Sequence, residues 1–152
     1  MMATEPTPKR KYIILSVQIV HIAKQLSNRE ATSSDVSLLD DIYHEMHNVS
    51  DTLVLVEGPN DKRSLEKLGF QNVVFMDQPL YRIVESYEGE EELLLLTDLD
   101  AHGKKLYKYF YHEFTKRGVR VNSRLRLLLL RTPVKHIEGL YGYLHKRAME
   151  QT

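Results

Sequence analysis

Two runs of four apolar residues punctuate the chain, Leu53-Val54-Leu55-Val56 and Leu93-Leu94-Leu95-Leu96. Each stops at acidic side chains, Glu57 after the first and Asp98 and Asp100 after the second. Apolar runs of this length, bounded by Gly, Pro or charge, are the pattern of strands buried on both faces of a parallel sheet. Between and after them the period changes. A short helix is expected near residues 61–68, stopped by Gly69, then a strand over 73–76, a helix over 80–87 and an acidic loop over 88–92. The third strand is predicted over 93–97. A helix over 103–117 follows, with Leu106, Tyr109, Phe110 and Phe114 as its apolar stripe and Gly118 as its stop, then a short fourth strand over 119–121. Strands alternating with helices predict βαβ units and an α/β fold with a largely parallel sheet of about four strands.

The flanks read differently. Helical spacing of Ile13, Val17 and Val20, and of Ile14, Val17 and His21, predicts a helix over 9–27. Lys9-Arg10-Lys11 ahead of it imitates a secretion signal, but Gln18 and His21 interrupt the apolar stretch and no clean cleavage site follows. The stretch is also too short to span a bilayer, so no membrane association is expected. A polar loop over 28–34 leads to a second helix capped by Asp35, with Val36, Leu39, Ile42, Tyr43 and Met46 forming its stripe. Residues 1–50 are thus expected to be a helical N-terminal extension, and 51–152 the main domain with a helical C-terminal segment. Residues 123–131 fit both a strand alternation and a helix facing the core through Leu125, Leu128 and Leu129; a short strand followed by a helix is preferred. Pro133 breaks the chain before a last helix over 137–146.

Composition narrows the chemistry. There is no cysteine among the 152 residues, so disulfides and thiolate metal sites are excluded and a metal would need oxygen or histidine ligands. That composition suits a reducing compartment, with the cytoplasm as the expected location. A formal net charge of zero conceals an asymmetry: residues 1–100 hold 9 Lys+Arg against 18 Asp+Glu, and residues 101–152 hold 12 against 3. A basic half of this kind can bind a polyanion despite overall neutrality. Open α/β sheets place their ligand sites beyond the carboxyl ends of the strands, which would gather Glu57, Asp98 and Asp100 at one edge. Three such carboxylates repel one another unless a hard cation lies between them.

Glu57-Gly58 with Asp61 after one strand, and Asp98, Asp100 and Gly103 spaced as D-x-D-x-x-G after another, resemble the Toprim domain over about residues 52–121. That Rossmann-like domain is shared by type IA and type II topoisomerases, bacterial primases and several nucleases. The chain is most similar to small stand-alone primase-like Toprim proteins of archaea and some bacteria, and the segment Val134 to Leu140 is consistent with that group. The resemblance implies phosphoryl transfer on nucleic acid, DNA or RNA, with Mg²⁺ or Mn²⁺ held by Glu57, Asp98 and Asp100 and with Glu57 as general acid/base. Phosphodiester cleavage is favoured, since nothing resembles a nucleotide-triphosphate site. Non-catalytic binding or an adaptor role, and primase-like nucleotidyl transfer, are the alternatives. Topoisomerases need a further domain carrying a nucleophilic tyrosine, and primases a zinc-binding region and a polymerase body, for which this chain has no evident room. Dehalogenase-type phosphatases also use a D-x-D motif, but with Thr where His102 stands here.

Around the acids, Gly58 and Gly103 are candidates for close approach of backbone to phosphate, and Asp61 is either a helix-start residue or a further ligand. Lys104 and Lys105 oppose the dipole of the helix they open, which a docked phosphate would explain. Arg120, Arg124, Arg126, Arg131, Lys135 and His136 are candidate phosphate contacts.

Overall fold

A computed structural model of the chain describes residues 33–149. The helix expected over 9–27 lies outside the described residues, as does most of the loop over 28–34. In chain order the elements are α1 (Ser33–Asn48), β1 (Leu53–Val56), α2 (Pro59–Lys67), β2 (Val73–Phe75), α3 (Leu80–Tyr87), β3 (Glu92–Leu95), α4 (Ala101–Lys116), β4 (Arg120–Val121), α5 (Arg124–Leu129), a 3-10 turn (Ile137–Gly139) and α6 (Leu140–Met149).

The four strands form one sheet in the order β2-β1-β3-β4, and every pairing is parallel. β1 and β3 are central and carry the two apolar runs, in the register Leu53↔Leu93, Val54↔Leu94, Leu55↔Leu95. Because side chains alternate across a strand, each run feeds two cores at once. Val54, Val56, Leu94 and Leu96 pack on one face with Ile42, Tyr43 and Met46 of α1, Leu65 of α2, Leu125 and Leu129 of α5 and Leu140 and Leu144 of α6. Leu53, Leu55, Leu93 and Leu95 pack on the other with Ile83 and Val84 of α3 and Phe110 and Phe114 of α4. The result is a three-layer α/β/α sandwich of the expected class. It explains why these strands are apolar at every position rather than at every second one.

α3 forms over the expected residues, and where other element boundaries depart from the expectation they do so by one to three residues. α2 begins at Pro59 because Gly58 adopts the extended N-cap conformation and Pro at the first turn needs no amide partner. α4 begins at Ala101, not Gly103, because Asp100 caps it. Residues 123–131 hold no strand: the sheet ends with β4 at Val121, the Arg124 amide donates to Asn122 Oδ1, and α5 follows with Leu125 and Leu129 in the core, while the last helix opens as a 3-10 turn before α6. Gly69 and Gly118, with φ of 98° and 85°, end α2 and α4 in the left-handed conformation that their positions require.

The order β2-β1-β3-β4 means that the chain leaves β1 for one side of the sheet and returns to pair β3 on the other. The carboxyl ends of β1 and β3 therefore flank the point where strand order reverses, the crevice in which open α/β sheets hold ligands.

Candidate metal centre

Glu57 directly follows β1, and Asp98 and Asp100 lie in the short loop between β3 and α4. Glu57 Oε2 accepts the backbone N–H of Asp98 at 2.6 Å, so the first acidic residue holds the loop that carries the other two. The D-x-D loop is fixed further by its own carboxylates. Asp100 Oδ1 accepts the amide of Gly103 at 2.7 Å, capping α4. Asp98 Oδ1 accepts the amide of Ile137 at 2.9 Å. In both residues one oxygen is committed to an amide while Oδ2 faces His136, whose Nδ1 lies 3.4 Å from Asp98 Oδ2 and 3.6 Å from Asp100 Oδ2. Asp98, Asp100 and His136 each offer a ligand atom within 4.8 Å of the others. Glu57 stands beside this cluster, its Oε1 3.8 Å from His102 Nε2.

Electrostatics match that crowding. Burial is the main reason the Glu57 carboxyl titrates above the usual range; the Asp98 amide opposes the rise, and the charges of Asp98 and Asp100 add to it. Asp61 is likewise raised, first by burial and then by Asp98. His136 is raised by its contact with Asp98. A hard divalent cation beside Glu57 would favour its charged form against burial and the neighbouring carboxylates.

Two features that the sequence grouped with the phosphate-contact candidates have closer ties to the acidic loop than the sequence showed. Arg126, grouped there with the phosphate-contact candidates, is buried at 4% exposure. Its Nη1 donates to the Thr97 carbonyl at 2.7 Å and to Thr97 Oγ1 at 3.0 Å, its Nη2 donates to the Asp98 carbonyl at 3.1 Å, and its guanidinium lies 4.5 Å from the Tyr107 ring centre. A buried cation thus sits beneath the acidic loop and partly offsets its charge. The second feature is the segment around His136, which returns to the loop from nearly forty residues downstream. The Leu99 amide donates to the Lys135 carbonyl at 2.7 Å, and the Ile137 amide reaches Asp98.

The remaining candidates are placed as follows. Asp61, at the third position of α2, is buried and its Oδ2 accepts the Gly58 amide at 3.0 Å, closing the start of that helix. Gly58 is extended, with φ −146°, a conformation open to any residue. Gly103 is different. A Cβ there would lie 1.8 Å from the Asp98 carbonyl oxygen, so α4 can seat against the D-x-D loop only through a glycine. Gly103→Ala is expected to cost at least about 3 kcal/mol, because the clash is with backbone rather than a movable side chain; chemical denaturation of the parent and variant measures it. Lys104 and Lys105 are exposed on the first turn of α4, and Arg124 and Lys135 are exposed. Arg120 pairs with Glu92 at 3.1 Å.

Acidic residues at the carboxyl ends of two adjacent parallel strands, beside the strand-order reversal, define an α/β protein with a carboxylate-rich centre able to hold a metal ion. A family model for the Toprim domain matches residues 52–128, and the chain belongs to that family. Toprim domains as a class bind divalent metal and act on nucleic acid. The chain is 35% identical over 101 residues to a UPF0292 protein of Methanocaldococcus jannaschii, an alignment covering 62% of this chain and 79% of that one. It is 31% identical over 97 residues to a UPF0292 protein of Pyrococcus abyssi, covering 60% and 74% respectively. Among solved structures, a putative protein from Aquifex aeolicus superimposes with a TM-score of 0.58 at 29% identity, covering 72% of this chain and 98% of that one. Among the described residues no helix is long and apolar enough to cross a membrane.

Proposed function

We propose that the protein is a metal-dependent phosphodiesterase that cleaves nucleic acid, with Asp98 and Asp100 holding Mg²⁺ or Mn²⁺ and Glu57 acting as general acid/base. The observation that carries this reading is the convergence of Glu57 with the D-x-D loop, fixed by the 2.6 Å bond from the Asp98 amide to Glu57 Oε2. A bound divalent ion would neutralise charge on the scissile phosphate and orient the attacking or leaving oxygen.

The chain's own groups supply the rest. Hydrogen bonds donated by the Ile137 and Gly103 amides to Asp98 Oδ1 and Asp100 Oδ1 orient both carboxylates, so their Oδ2 atoms are presented without a search through rotamers. Glu57 uses Oε2 to hold the loop, which leaves Oε1 to take a proton from an attacking water or return one to the leaving oxygen. Burial, which raises its carboxyl, moves it toward the range where acid/base exchange near neutrality is efficient. Arg126 holds Thr97 and Asp98 by their carbonyls and keeps the strand end in place while the charges above it change. Cleavage is favoured over synthesis because nothing in the sequence resembles a nucleotide-triphosphate site.

Incubating the full chain with labelled single- and double-stranded DNA and RNA tests the proposal. Cleavage is expected with Mg²⁺ or Mn²⁺ and none with chelator. Binding that persists without metal, with no substrate cut under any condition, would replace it with the reading of a binding module.

The basic half leads to a separate expectation. If Lys104 and Lys105 face the phosphate backbone, affinity falls steeply with salt, because each neutralised phosphate releases condensed counterions. Reversing both lysines to Glu should weaken binding across sequences and flatten the salt slope by about one unit per lost contact. Reversing Lys9 and Lys11 should do neither, as measured by fluorescence anisotropy over a salt series.

A further inference from the structure

Asp98 and Asp100 would serve a metal as oxygen donors, but their two unengaged oxygens do not face open solvent alone. Asp98 Oδ2 and Asp100 Oδ2 both point at Nδ1 of His136, 3.4 and 3.6 Å away. The placement is not that of a loose surface side chain. The residue before His136 accepts the Leu99 amide through its carbonyl at 2.7 Å, and the residue after it donates its amide to Asp98 Oδ1 at 2.9 Å. The backbone on both sides of His136 is therefore tied to the D-x-D loop, and the imidazole is delivered to the carboxylates by the same bonds that orient them. The His136 side chain remains 57% exposed, so packing does not dictate its position.

We propose that His136 is a metal ligand through Nδ1, completing an Asp-Asp-His donor set, and that the centre takes a first-row transition divalent ion such as Mn²⁺ or Co²⁺ in preference to Mg²⁺. This rests on the metal-centre reading of the previous subsection. Carboxylates alone suit Mg²⁺, which also favours retained water. Adding an imidazole nitrogen favours first-row transition ions over Mg²⁺, weakly for Mn²⁺ and more strongly for Co²⁺ as affinity rises along the row. The three atoms already lie within ligand-sharing distance of one another. A residue 36 positions beyond Asp100 in sequence thus supplies what the D-x-D motif lacks.

The test uses the full-length chain, the metals alone as probes, and the variant His136→Gln, whose exposed position spares the core. Pulsed electron paramagnetic resonance of the Mn²⁺-loaded parent should show coupling to one ¹⁴N nucleus, and His136→Gln should abolish it. Calorimetric titration should show tighter binding of Mn²⁺ and Co²⁺ than of Mg²⁺ in the parent. The variant should lose tenfold or more of its affinity for the first two and much less for Mg²⁺. Mn²⁺ that binds without nitrogen coupling, or affinity in His136→Gln that is unchanged or higher, would overturn the proposal and leave His136 as a simple ionic neighbour of Asp98. A parent chain that binds no divalent ion at all would instead remove the metal-centre reading beneath it, so the two failures are distinguishable.

Discussion

With Glu57 replaced by glutamine, nucleic-acid cleavage falls on the order of a hundred- to ten-thousand-fold, the contribution of a positioned general acid or base. Binding of the substrate is retained. The substitution isolates proton transfer because glutamine keeps a carbonyl oxygen that can go on accepting the Asp98 amide, the 2.6 Å bond that organises the loop. Single-turnover cleavage together with equilibrium binding makes the separation. Equal loss of both would assign Glu57 to holding the loop, and loss of metal affinity would make it a ligand.

The second large effect concerns the loop itself. Saturating Mn²⁺ or Mg²⁺ at a hundred times its dissociation constant stabilises the parent by about 2.7 kcal/mol through mass action. In a chain of this size that corresponds to a rise in Tm of several degrees. Asp98→Asn and Asp100→Asn should each abolish the rise. Asparagine is the appropriate replacement because Asp100 caps α4 through Gly103 and Asp98 receives the Ile137 amide, roles an amide oxygen can fill. Alanine would remove the cap as well, costing about 1 kcal/mol of its own and blurring the result. Thermal scans with and without metal, on parent and variants, decide the matter. A parent whose Tm ignores millimolar metal would defeat the prediction outright.

The elements beside the site were legible because short-range rules determine them. Leu53 to Val56 and Leu93 to Leu96 are apolar at every position because each strand serves two cores, and that pattern survives without tertiary information. Asp98 and Asp100 gather beside Glu57 because both follow the carboxyl ends of the two central parallel strands. What the sequence concealed was decided by returns of the chain. In the run Arg124-Leu125-Arg126-Leu127 the arginines alternate as they would on a half-exposed strand. In the helix actually formed, positions two apart point in nearly opposite directions, so Arg124 is exposed while Arg126 is buried under the loop. His136 read as one more basic residue in a basic half. Only the packing of the 3-10 turn against the D-x-D loop gives it different neighbours. Gly103 was singled out for close approach to phosphate, and the structure adds a packing reason that the sequence could not show: its missing Cβ makes room for the Asp98 carbonyl.

The bonds from Lys135 and Ile137 to the acidic loop also bear on how the protein can be dissected. The stretch that matches the Toprim family ends at residue 128, yet Asp98 Oδ1 takes its amide from residue 137 and Leu99 gives its own to residue 135. A fragment trimmed to the family boundary would keep all three acids and discard the clasp that sets two of them. It would also uncover the apolar face that Val134, Ile137 and Leu140 close. The unit a sequence family recognises and the unit whose bonds set the acidic loop are, in this chain, different lengths of polypeptide.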